Sequence, residues 1–210
     1  MKTPSFVNGL YRFCVWIMKL AYLNILWLFF TLIGLVVLGL GPATIAMFSV
    51  TRKWVQGEDD ISVSSVFWEN YKNNFWKSNM LFYIYFLIIY LLSVYYLLVR
   101  ELDGIVGSLF IALVLIVTGL ILFTILVSLP LFSHAKLSVY RYVKYSAMIV
   151  ISNPFHMLAL ALAIFLIGVV FLLLPGLVPF FFGSVLSLMT MYIVSKILQK
   201  IEEIQLGTSF

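Results

Sequence analysis

Few side chains in this sequence are equipped for chemistry, and their spacing limits what each can do. His134 and His156 could share a metal ion or pass a proton, since imidazole is both a ligand and a base near neutral pH. No carboxylate lies close to either in sequence, so both read as residues at a water–lipid boundary. Glu58-Asp59-Asp60 offers adjacent carboxylates, the oxygen chemistry of a divalent cation. No second ligand group follows nearby, and the stretch reads as a solvated loop whose charge favours the start of the next helix. Cys14 is the single cysteine, which excludes an internal disulfide and a cysteine-based metal cluster. There is no phosphate-binding Gly-rich loop, no Gly-x-Ser-x-Gly, no His-Glu-x-x-His and no visible nucleophile–base pair. The expectation is a non-enzymatic protein with no cofactor and no metal.

Inside the apolar runs the polar candidates are Asn24, Tyr90 and Thr124. They could line a path for a small solute, or bond to their own or a neighbouring helix. No Asp or Glu lies within a run, so a proton- or sodium-coupled carrier lacks its usual buried carboxylate.

These residues must be positioned by elements whose solvent is lipid. Of 210 residues, 64% are hydrophobic and 10% charged, against about 45–50% and about 25% in a soluble domain. The net charge of +5 is spread along the chain. It fits basic loops facing anionic headgroups and lacks the clustering that nucleic acid requires.

The spacing predicts an all-α membrane bundle of about five transmembrane helices. The spans fall at about 21–40, 80–99, 105–129, 157–174 and 177–195. Interfacial amphipathic helices follow the first and third spans, at about 42–56, 62–73 and 131–150. The whole chain forms one integral membrane domain. The first apolar run is longer than a signal-peptide core and no small-x-small site follows it, so it reads as a retained span.

Gly39-Leu40-Gly41-Pro42-Ala43-Thr44 marks the exit from the first span, with Pro42 in a first helical turn, where its missing N–H costs nothing. The helix that follows ends in Arg52, Lys53 and Trp54, with Gly57 as its stop. Asn73-Asn74 reads as a helix break. Phe75-Trp76-Lys77-Ser78-Asn79 marks re-entry into lipid, with Trp76 at headgroup depth. The second half echoes the first: Pro130 ends a span as Pro42 does, and the basic segment with Lys136, Arg141 and Lys144 follows.

Counting Lys and Arg on each side of five spans places the acidic loop and the C-terminus in the cytoplasm. The same count puts the N-terminal lead-in, with Lys2, Arg12 and Lys19, on the opposite side. A further crossing before residue 21 would remove that conflict.

Between residues 9 and 80, Gly9-Leu10-Tyr11-Arg12-Phe13, Leu23-Asn24-Ile25-Leu26-Trp27, the Gly39–Thr44 stretch, Arg52-Lys53-Trp54, Gly57-Glu58-Asp59-Asp60 and Phe75-Trp76-Lys77-Ser78-Asn79 together resemble the YesL-like family of small bacterial membrane proteins. The resemblance implies a multi-spanning plasma-membrane protein associated with carbohydrate uptake, and it brings no catalytic residues. Gly41, Pro42, Gly57, Trp76 and Asn79 are then structural motif residues. Arg52, Lys53, Trp54, Glu58, Asp59 and Asp60 are candidates for docking a partner. That partner is a transporter subunit or a second copy of the chain, besides the bilayer itself. The competing expectation is a small-solute transporter or channel.

Overall fold

In a computed structural model the described residues are 5–207, with side chains described for 9–201. Among them the elements are α1 (Ser5–Ile33), α2 (Leu40–Val55), α3 (Val63–Val99), α4 (Gly104–His134), α5 (Val139–Ser152), α6 (Pro154–Leu173), a single 3-10 turn (Pro175–Leu177) and α7 (Val178–Gly207). Five helices are long and apolar enough to cross a membrane: Gly9–Ile33, Val63–Val99, Gly104–His134, Pro154–Leu173 and Pro175–Ile201. The chain is an all-α, multi-pass membrane bundle.

The first reversal comes earlier than Gly41-Pro42. α1 stops at Ile33, and the chain turns through residues 34–39. Gly34 and Gly39 meet backbone to backbone, so that a Cβ on Gly34 would lie 2.2 Å from the Gly39 Cα. Only glycine permits that approach. Between them Leu35 and Val36 hold φ of 56° and 62°, a backbone that a β-branched residue rarely adopts. Pro42 then lies in the first turn of α2, the place its missing N–H allows.

The reading of α2 as a surface helix is corrected. Ala43, Ile45, Ala46, Val50 and Thr51 are fully buried, and α1, α3, α4 and α7 all pack against it. Its lack of charge before Arg52 and its small residues Gly41, Ala43, Ala46 and Ser49 let neighbours close from every side. α5 does show the one-sided pattern expected of an interfacial helix. It buries Val139, Tyr142, Ser146, Ile149 and Val150 and exposes Tyr140, Arg141, Lys144, Tyr145 and Met148.

Two predicted breaks are absent. α3 runs without interruption through Asn73-Asn74, joining the expected helix at 62–73 to the span at 80–99. Its asparagines bond back to their own ladder instead of breaking it: the Asn70 and Asn74 carboxamides donate to the Val66 and Asn70 carbonyls at 2.8 and 3.1 Å. Pro130 lies inside α4, which continues to His134. Leu129, Leu131 and Phe132 around it pack with Ile45 and Phe48 of α2, which holds that last turn in place.

Antiparallel packing of α1 and α2 corrects the side assigned to the N-terminal lead-in. Trp27 Nε1 donates to Thr44 Oγ1 at 3.1 Å, Trp16 meets Trp54 edge-on with ring centroids 5.5 Å apart, and Lys19 Nζ donates to the Asp59 carbonyl at 2.6 Å. The early part of α1 therefore lies beside the acidic loop, because α2 returns the chain to the end it came from. Arg52 donates to the Ser133 carbonyl, and His134 Nε2 lies 3.3 Å from Ser195 Oγ. The close of α4 and the later part of α7 thus share that end. Arg100, in the α3–α4 connection, is the one described basic side chain (Lys or Arg) at the other end.

Candidate functional site: a polar cleft at one end of the bundle

The face of α3 that carries Val66, Glu69, Asn70, Asn73, Asn74 and Lys77 repeats at helical spacing, so these residues form one stripe. With Lys53 from α2 and Lys136 from the α4–α5 connection they line a cleft of about 790 Å³. Three ammonium groups there face one carboxylate, Glu69.

Each cation has its own support. Lys53 Nζ pairs with Glu58 Oε2 at 2.9 Å. Lys77 Nζ lies 5.7 and 5.3 Å from the ring centroids of Phe132 and Tyr142, near enough for a cation–π attraction. Those two rings stack with centroids 4.6 Å apart. Lys136 is carried by a short connection pinned by Tyr142, whose hydroxyl donates to the Ala135 carbonyl at 2.6 Å and accepts the Leu137 N–H at 3.0 Å. Burial raises the Tyr142 hydroxyl above its ordinary pKa, and the Leu137 N–H opposes this. The hydroxyl thus stays neutral and able to serve both bonds.

The partner-docking candidates divide. Trp54 is buried against Trp16, and Arg52 is occupied by Ser133. Lys53 and Glu58 bond to each other, while the side chains of Asp59 and Asp60 remain exposed. Among the described residues no group of three or more His, Cys, Asp and Glu side chains is placed to hold a metal ion.

The motif residues act in packing. A Cβ on Gly41 would come within 3.2 Å of Asn79 Oδ1 and 3.4 Å of the Phe82 ring, so this glycine lets α2 and α3 close together. Asn79 itself donates to the Phe75 carbonyl at 2.9 Å. Gly57 holds φ of 88° directly after α2, the left-handed stop that glycine accepts best. Trp76 is 82% exposed, as an interfacial anchor would be.

The intramembrane polar candidates do not converge. Asn24 is buried between α1 and α7, where Nδ2 donates to the Pro179 carbonyl at 2.8 Å and Oδ1 accepts the Ser184 N–H at 3.0 Å. One carboxamide thereby bridges two backbone groups of α7. Thr124 is buried and donates back to the Leu120 carbonyl at 2.8 Å. Tyr90 is 56% exposed on the outer face of α3. None of the three lines the polar cleft or the apolar grooves around the bundle.

The sequence alone does not reveal the cleft, because Asn73-Asn74 reads as a break while α3 runs through it. The signal that would have found it is the polar repeat from residue 66 to residue 77, read as unbroken helix.

Comparison with known proteins shows the family. Residues 20–96 match the family described as "Protein of unknown function, DUF624". The chain is 39% identical to the uncharacterized protein YteU of Bacillus subtilis (strain 168), over 97% of this chain and 91% of that one. It is 38% identical to YesL of the same organism, over 88% of this chain and 87% of the relative. YesV, also from that organism, is 31% identical over 96% and 97% of the two chains. No solved structure matches. With relatives that align along nearly their whole length, the chain belongs to the YesL-like DUF624 family of unknown function.

Proposed function

We propose that this chain is a non-enzymatic accessory protein of the plasma membrane. Its polar end faces the cytoplasm and docks a subunit of a solute-uptake system, with carbohydrate as the cargo class that the family resemblance implies. The observation that carries this reading is the uneven distribution of polar groups. Asn24 and Thr124 are spent on helix backbone, whereas cations, carboxylates and carboxamides gather around one end. A small-solute path, the competing reading, draws no support from Asn24 and Thr124, which are buried and bonded to helix backbone, or from Tyr90, which is 56% exposed.

The docking test is photocrosslinking in intact membranes from Asp60, Lys72 and Trp76, with Leu97 as a lipid-facing control. The expected product is an importer subunit, identified by mass spectrometry, at the first three positions and not at Leu97. Capture of lipid alone at all four would reject the reading.

Cytoplasmic placement has a separate test. Cys14 is exposed, and Lys19 ties its helix to the acidic loop. An impermeant maleimide should leave both Cys14 and a cysteine placed at Asp60 (in a Cys14→Ser background) unlabelled in whole cells, and label both after lysis. Labelling of either position from outside would overturn the orientation.

A further inference from the structure

We infer that the cleft between α2, α3 and the α4–α5 connection binds a phosphoryl group carried on a polyol. Two molecules share that chemistry: a phosphoglycerol lipid headgroup and a soluble sugar phosphate. The inference goes beyond partner docking and does not depend on it, since the ligand would bind the isolated chain.

The charge balance speaks for an anion. Lys53, Lys77 and Lys136 outnumber Glu69 and Glu58, the carboxylate paired with Lys53; Lys77 faces two aromatic rings, and Lys136 is exposed on a connection whose backbone Tyr142 pins. The Lys53 and Lys77 ammonium groups, restrained before a ligand arrives, lose less freedom on binding it.

The carboxamides speak for hydroxyls beside that anion. Asn70 and Asn74 each commit an N–H to their own helix, which leaves Oδ1 and a second N–H available. Acceptors of that kind do nothing for a bare phosphate but suit the alcohols of glycerol or a sugar. At about 790 Å³ the cleft is far larger than a phosphate needs and within the range of about 300–1,000 Å³ typical of small-molecule sites.

Its place fits either source. The stripe ends at Lys77, just before the uncharged run from Met80 to Val99, and Trp76 is exposed beside it. The cleft therefore opens where headgroups lie and remains reachable from water.

The test uses the full chain in phosphatidylcholine nanodiscs. In the soluble arm, glucose 6-phosphate and glycerol phosphate are titrated calorimetrically, with glucose as the uncharged control. In the lipid arm, native mass spectrometry measures phosphatidylglycerol retained from mixed nanodiscs against phosphatidylcholine. Binding of glucose 6-phosphate with no phosphatidylglycerol retained identifies a sugar phosphate, and retention in the lipid arm identifies a headgroup. Lys77→Gln and Lys136→Gln should each weaken whichever is seen by about tenfold, the usual loss of one charge-assisted contact. Lys144→Gln, on the exposed face of α5, should leave it unchanged.

Asn73→Leu should weaken glucose 6-phosphate and spare inorganic phosphate, a difference that misfolding would not produce. The inference is overturned if folded wild-type protein binds in neither arm. It is equally overturned if glucose binds as well as its phosphate, or if both lysine variants bind like wild type. The partner crosslinks can fail while these measurements succeed, and the reverse, so the two proposals fall separately.

Discussion

Asn24 and Asn73 carry the same side chain into opposite settings. Asn24 is 1% exposed, and both ends of its carboxamide are consumed by backbone groups of α7. Asn73 stands on the open stripe of α3, among cations and other carboxamides that line a cleft. The first is a fastener between helices, since both of its bonds cross from α1 to α7. The second holds hydrogen-bonding capacity in reserve. Polarity within an apolar chain therefore does not by itself mark function. What separates the two is whether the structure has already used the group.

The strongest way to break this comparison is to remove the fastener. Asn24→Leu removes both hydrogen bonds that tie α1 to the backbone of α7 and should destabilise the chain by about 2 kcal/mol. The measurement is thermal unfolding in detergent. Asn73→Leu should change the same midpoint little. If the two substitutions cost the same, the distinction between used and reserved carboxamides fails.

Close packing at the motif glycine comes next. Gly41→Leu must fit a side chain where Asn79 and Phe82 already lie at contact distance. Overpacking of this kind costs about 1–3 kcal/mol. Gly57→Leu meets no atoms but adopts an unfavourable backbone, so its cost should be near 1 kcal/mol. Parallel unfolding curves of the two variants would separate crowding from backbone strain.

These glycines also show how far the sequence could be read. The Gly41-Pro42 stretch was legible as the head of a helix because proline and glycine have strong positional preferences. Its burial was not. Ala43, Ile45, Ala46 and Val50 look alike whether they face lipid or protein, and hydropathy cannot tell those neighbours apart. The same ambiguity hid the antiparallel pairing of α1 with α2, and with it the end of the molecule to which Lys19 belongs.

The cleft was obscured for a different reason. Asparagine breaks helices in water by offering the backbone another partner. In α3, Asn70 and Asn74 offer it within the helix instead. The basic residues around the cleft were visible individually. Their meeting place was not, because Lys53, Lys77 and Lys136 come from three separate stretches of the chain.

A smaller effect is expected at the wall of the cleft. Tyr142→Phe keeps the ring that stacks on Phe132 and faces Lys77, but removes both hydroxyl bonds to the α4–α5 connection. A cost of about 1 kcal/mol is expected. Hydrogen exchange should rise at residues 135–138 and stay unchanged in α2. If exchange rises equally in both, the hydroxyl serves the core and not the wall.

The smallest effect belongs to the ion pair beside the cleft. Lys53 and Glu58 meet at 2.9 Å with side chains 31% and 51% exposed. Water screens such a pair, so Glu58→Gln should change stability by at most about 0.5 kcal/mol. Its consequence for the cleft has the opposite sign. Removing the carboxylate frees Lys53 from its partner and raises the positive charge facing the stripe. Any anion held there should bind somewhat more tightly, and the gain should fade as salt is added. Lys53→Gln, equally mild for the fold, should weaken the same binding. Together the variants ask whether Lys53 belongs with the fasteners or with the reserve: opposite shifts place it in the reserve, and equal losses place it with the fasteners.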